Sequence, residues 1–199
     1  MASNDQPAND QPANSRIDAS NVAIDFANIG YDADDARQDL KVWAGGLLAP
    51  AAFGAAALER VVVLHNAVRA VLDGRIDGEM LQRLDAVAIV NSASAATLVS
   101  PVLIVRSDGT VAADVAQSNR GLSGLLAEIA RSTIDAVSSD ANRLRRCEGP
   151  GCGRYFLKDR AHRNWCSLGC GNRARVARHY ARHTPTQRAI APGPSQGNR

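Results

Sequence analysis

Lysine, aromatic residues and long apolar runs are all scarce in this chain. Only Lys41 and Lys158 are lysines, so arginine carries nearly all the positive charge; with the abundant alanine, this reflects a GC-rich genome rather than function. Aromatics make up 4% of the residues, and several of them fall between Tyr155 and Tyr180. No apolar stretch reaches the ~18 residues needed to cross a bilayer, which excludes a membrane helix. The N-terminus is polar and has no apolar core segment, so no signal peptide is expected and a cytoplasmic, reducing location is. The chain has no Gly-x-Gly-x-x-Gly, no Walker loop and no Gly-x-Ser-x-Gly. No catalytic constellation emerges, and the reading is not an enzyme.

What is present suffices for one medium domain and one small one: 199 residues, 45% of them hydrophobic. The net charge of +3 conceals a division. Residues 143–183 hold eleven Lys/Arg against two acids, Glu148 and Asp159, whereas residues 1–142 hold ten against eighteen. A −8 body is therefore joined to a +9 module, an asymmetry that points the module toward a polyanion.

Residues 1–15 repeat Asn-Asp-Gln-Pro-Ala twice and, with no large apolar side chain after Met1, are expected to form a disordered tail, as is 184–199. The body, 16–140, reads as α+β, mixing helices with a few strands and lacking βαβ alternation. Val22, Ile24 and Phe26 alternate with Ala23 and Asp25, which predicts a short strand. A helix over 34–48 presents Leu40, Trp43 and Leu47. A longer helix over 50–72 starts at Pro50 and stops at Gly74, with Leu58, Val61, Val62, His65, Val68 and Leu72 inward; His65 is a packing residue there rather than a ligand. Asp77 caps a third helix reaching Asn91, with Met80, Leu81, Leu84, Val87 and Ala88 inward. Residues 97–106 and 110–116 form a hairpin about Ser107-Asp108-Gly109, and Pro101 places the first strand at an edge or bulge. A fourth helix, 120–138, carries a stripe from Leu122 to Val137. These apolar faces predict that 16–138 folds without the rest.

All four cysteines lie in 143–183: Cys147-x4-Cys152, thirteen residues, then Cys166-x3-Cys170. Two close pairs suit zinc, which prefers four tetrahedral thiolates, two from each tight turn. Gly149, Pro150, Gly151 and Gly153 crowd the first pair. The second pair opens a helix over 167–183, where one turn brings both sulfurs to one side. Knuckle, hairpin and ligand-bearing helix make a treble-clef-like plan. Disulfides would need an oxidising compartment, and iron–sulfur signatures are commonly tighter. Four thiolates close the site, so the metal is structural.

The run Cys170-Gly171-Asn172-Arg173, with Trp165-Cys166-Ser167 and Leu144-Arg145-Arg146-Cys147 upstream, resembles the CGNR zinc finger, with three residues between the last two cysteines where members often carry four. Ile24-Asp25-Phe26-Ala27-Asn28 looks like the opening signature of ABATE domains, which precede this finger in bacterial proteins regarded as stress-related transcription regulators. The resemblance implies one Zn2+ and a role in transcription. Asp25 and Asn28 are candidates for a small-ligand site, with turn capping as the alternative.

Within the finger, Tyr155, Phe156, Leu157 and Trp165 are expected to pack against Val176 and Tyr180, a core so small that the metal supplies folding energy. Arg175, Arg178 and Arg182 fall at i, i+3 and i+7 beside His179, a basic stripe fit for a phosphate backbone or the major groove. Lys158, Arg160 and Arg163 add charge nearby. Asn172 and Arg173 are candidates for contacts to DNA, or for bonds to the knuckle and an aromatic ring. Two functions follow: a DNA-binding transcription regulator whose body senses a signal or dimerises, or a zinc-stabilised adaptor for protein or RNA.

Overall fold

The computed structural model describes residues 22–31, 36–47, 54–119 and 121–183. The two tails and Pro50 lie outside these residues. No helix among those described is long and apolar enough to cross a membrane.

Val22–Ala27 is a helix, α1, and not the strand that the alternation predicts. Val22, Ala23, Ile24, Phe26 and Ala27 are all buried, and only Asp25 meets solvent. A segment buried on nearly every side has no polar face for a two-residue period to reveal. Helix α2 (Ala36–Leu47) turns Leu40 and Ala44 inward and sets Trp43 5.1 Å from the Phe26 ring. Leu47, expected on that face, is exposed instead: nearly two turns bring it back to the Leu40 side, but it is the last residue of the helix.

Helix α3 (Ala55–Asp77) is the central element, burying Val61, Leu64, His65, Val68, Val71 and Leu72. It runs through Gly74 and ends at Gly78, which takes φ 76° and returns its N–H to the Gly74 carbonyl. Gly74 is a packing glycine: a Cβ there would lie 2.8 Å from Arg83 Cγ and 3.5 Å from Met80 Cα. Asp77 closes α3 rather than capping the next helix. A 3-10 turn (Met80–Arg83) leads into α4 (Leu84–Ala95), which buries Val90. Met80 and Val87 pack inward as expected, whereas Leu81, Leu84 and Ala88 face solvent, because the 3-10 turn rotates the register of what the sequence presents as one helix.

Strands β1 (Val99–Val105) and β2 (Val111–Gln117) pair antiparallel as the expected hairpin. Gly109, at φ 80°, closes its turn, and the Asp108 carboxylate accepts from Thr110 N–H at 2.9 Å. Helix α5 (Leu122–Ser138) lays Leu126, Ile129, Ala130 and Thr133 against α1, α3 and α4.

β3 (Leu144–Arg146) and β4 (Tyr155–Leu157) form a second small sheet, and α6 (Leu168–His183) completes the chain. The two-residue period of β4 serves two cores at once. Tyr155 and Leu157, with Leu144 opposite, belong to the core of the body. Phe156, between them, packs with Cys147 and Cys170. The body does not stand apart as the apolar faces of 16–138 suggest, since part of its core comes from the finger.

Polar contacts fix the same junction. The Asn28 amide donates to Tyr155 C=O at 2.9 Å and accepts from Tyr155 N–H at 2.9 Å. The Tyr155 hydroxyl donates to Asp73 at 2.7 Å, and burial with that carboxylate pushes its pKa up. Arg146 pairs with both Asp73 and Asp77, and the Arg69 guanidinium lies 5.0 Å from the Tyr31 ring and 6.0 Å from the Tyr155 ring.

Candidate metal centre and basic helix

The four cysteine sulfurs lie within 4.8 Å of one another. Tetrahedral zinc with bonds of about 2.3 Å needs sulfurs about 3.8 Å apart. Cys152 and Cys166 stand at 3.8 Å, and Cys166 and Cys170 at 3.6 Å. The donor set and its spacing therefore fit zinc, and Cys147, Cys152, Cys166 and Cys170 are the residues that would hold it. With no histidine or carboxylate among them and no position left open, the ion's part is to hold the fold.

The chain prepares this site locally. Gly151 takes φ 69° in the first knuckle, and the Cys152 N–H donates to Gly149 C=O at 2.9 Å. Gly149 leaves little room for a side chain: a Cβ would lie 3.0 Å from Cys170 Cβ and 3.4 Å from Cys147 Sγ. At the second pair, the Ser167 hydroxyl accepts from Cys170 N–H at 3.2 Å, an N-cap that starts α6 at the ligand. Burial pushes the Cys166 thiol up to about 12, whereas a hydrogen bond with Ser167 draws Cys170 down to about 7.

Two further donors face the sulfurs. Cys166 N–H donates to Cys147 Sγ at 3.3 Å, and the Arg173 guanidinium reaches Cys170 Sγ at 3.0 Å. Four thiolates around one Zn2+ leave a formal −2, so a cation against a ligand sulfur stabilises the loaded site. Arg173 therefore has its partner at the metal, not on a ring as the structural alternative had it. The Asn172 side chain accepts from Arg175 at 3.0 Å and makes no bond to the knuckle among the described contacts.

Arg163 is committed to the finger's own turn. It donates to Trp165 C=O and Cys166 C=O, pairs with Asp159 at 3.3 Å and lies 5.1 Å from the Phe156 ring. Lys158 is half-buried, while Arg160 and His162 are exposed nearby. Asp25 is exposed on α1 and does not join Asn28 in a ligand site; Asn28 is occupied by Tyr155. Asp73, and the role of Asp77 as a second partner of Arg146, were missed. Their signal was an acid pair at i, i+4 in the last two turns of α3.

Helix α6 rests on the finger only through its first two turns, where Cys170, Gly171 and Ala174 are buried. From 175 to 183 every residue is exposed. Val176 and Tyr180, expected in the small core, are 53% and 65% exposed: they lie on the side of the helix away from Cys170 and Ala174. Arg178 points toward the finger, donating to Ala174 C=O at 3.2 Å with its guanidinium 5.9 Å from the Trp165 ring. Arg175 and Arg182 flank it on the same side by the 3.6-residue period. His179 and His183 sit one turn apart on another side, rings 4.4 Å apart.

No curated protein matches the chain. Residues 143–183 match the model of the CGNR zinc finger. Residues 20–140, more than half of the chain, match the ABATE model, described as "Putative stress-induced transcription regulator". With the zinc-fitting cysteine cluster inside one match and most of the helical core inside the other, the chain belongs to the ABATE family, its ABATE domain followed by a CGNR zinc finger.

Proposed function

We propose that this regulator binds duplex DNA through α6, held in place by zinc, while the ABATE domain supplies sensing or assembly. The observation that carries this reading is the free half of α6. About nine residues project beyond the finger, roughly 14 Å at 1.5 Å per residue, and they present Arg175, Arg178 and Arg182 on one side. The major groove, about 12 Å wide, admits such a helix. The −8 body faces away from this role, since its charge repels phosphates within a Debye length of about 8 Å.

The test is duplex binding followed by fluorescence anisotropy across a salt series. Arginine–phosphate contacts release counterions, so affinity falls with salt at a slope of about −0.9 per phosphate neutralised. The triple variant Arg175→Ala/Arg178→Ala/Arg182→Ala is expected to lose most of the affinity and to flatten the slope, with zinc content unchanged. Equal affinity and slope in that variant would move the assignment to the second reading, an adaptor for a protein partner. The exposed Val176 and Tyr180, an apolar pair at i, i+4 on a projecting helix, favour that alternative.

A further inference from the structure

Among the described elements the β1–β2 ribbon packs extensively only on itself. Residues paired across the ladder share a face, so Val99, Pro101, Leu103, Val105, Val111 and Ala113 lie together, a side that is apolar up to Gln117 at the Val99 end. Leu103, Val105 and Val111 on it are 77%, 73% and 62% exposed.

The hydrogen-bond parity of this ladder distinguishes its two edges. Arg106 N–H donates to Thr110 C=O, and Ser118 N–H donates to Leu98 C=O, at the two ends of the ribbon. Bonded pairs alternate in an antiparallel ladder. The even-numbered residues of both strands therefore turn their N–H and C=O inward, and the odd-numbered ones turn theirs outward. On β1 the outward positions include Pro101, whose nitrogen has no hydrogen to offer, so that edge is blocked. On β2 the outward positions are Val111, Ala113, Val115 and Gln117, all able to donate. The usual protections of a sheet edge, such as lysine, proline or an inward charge, are absent from these four positions.

We infer that the open edge of β2 pairs antiparallel with β2 of a second copy of this chain, giving a four-stranded sheet in the order β1-β2-β2-β1. A two-fold axis at Ala113 pairs Ala113 with its own copy and Val111 with Val115. It sets Asp114 opposite Ala112, so no like charges meet. One open and one blocked edge suit a closed pair, because Pro101 ends the sheet on both sides and no filament can grow. Seven residues of edge span about 24 Å, and the area covered falls below the roughly 800 Å² per partner of standard complexes. The dimer is therefore weak and concentration-dependent. It stands independently of whether α6 binds DNA.

The test is sedimentation equilibrium of the zinc-loaded full chain from about 1 to 200 µM, a range chosen to span weak association. Wild type is expected to shift from monomer toward dimer. Ala113→Pro removes only an outward N–H, leaving the β1–β2 ladder intact, and is expected to weaken association by at least tenfold with an unchanged helical circular dichroism spectrum. Ala113→Glu, which opposes two carboxylates at the axis, is expected to do the same and serves if the proline variant misfolds. Leu103→Asp, on β1 and away from the joined edge, is expected to leave association within about threefold. Wild type remaining monomeric throughout overturns the proposal. So does a dimer that survives both Ala113 changes, or one abolished by Leu103→Asp and kept by Ala113→Pro, which would place the copies face to face.

Discussion

Asn28→Ala would remove the clamp between the ABATE domain and the finger. The side chain makes two 2.9 Å bonds, one to each backbone polar group of Tyr155. Tyr155 is 2% exposed, so its N–H and C=O have little access to replacement water. An orphaned buried donor or acceptor costs about 1–3 kcal/mol. Two of them, partly relieved by local adjustment, amount to about 3 kcal/mol out of a total stability of roughly 5–15 kcal/mol. At about 2–4 °C per kcal/mol for a chain of this size, Tm falls by roughly 6–12 °C. Urea unfolding should be followed by circular dichroism for the helices and by zinc release for the finger. Both transitions are expected to move together, because Tyr155 and Leu157 belong to the body's core. Asn28→Asp keeps the acceptor for Tyr155 N–H but turns a carboxylate oxygen toward Tyr155 C=O. It should be at least as destabilising as alanine at neutral pH, recovering partly in acid as the carboxyl takes up the proton it needs to donate. A loss below about 0.5 kcal/mol, within the range of ordinary surface changes, or a shift in zinc release with the helical transition unmoved, would refute the reasoning.

Cys152→Ser should reduce zinc from one equivalent per chain and lower the melting of the whole protein, since metal binding is folding energy for the finger; elemental analysis with calorimetry checks it, and an unchanged body transition would contradict the shared core. His65, 2% exposed and set edge-on to Phe26, has its pKa lowered by burial and by Arg69. The unfolded chain thus takes up this proton first, so the contribution of the neutral ring is full above the ordinary value of 6.5 and declines as pH falls below it. His65→Leu should flatten the acid limb of the Tm profile; parallel limbs in both proteins would dismiss the histidine as its source. Arg178→Ala should flatten the salt slope of DNA binding by about one unit if it touches phosphate, or cut discrimination by about 1–3 kcal/mol at one base pair if it reads a base, and no change in either would remove Arg178 from the interface.

The metal site was fully legible in the sequence because it is local: four cysteines in two tight pairs, with glycines where backbone and sulfur crowd. The hairpin and the long helices were legible for the same reason. What escaped depends on contacts distant in sequence. Asn28 resembles a turn cap until Tyr155, 127 residues away, arrives to accept and donate. Gly74 looks like a helix stop because Arg83, which needs the space, returns only after Gly78 has turned the chain. Val176 and Tyr180 share a helical face, and their spacing says nothing of where the finger ends. The strand expected at Val22–Phe26 failed because α1 is buried on nearly all sides, leaving periodicity nothing to report.

The chain's two tryptophans occupy separate places. Trp43 packs on Phe26 in the ABATE core, while Trp165 lies beside Gly171 of the finger and beneath Arg178. Each is therefore an optical probe of one half of the protein. Trp43→Phe leaves an emission that follows metal loading and any ligand that draws Arg178 off the indole. Trp165→Phe leaves one that follows the helical core. Comparing the two spectra along a single titration would time the opening of the finger against that of the body, without attaching a dye.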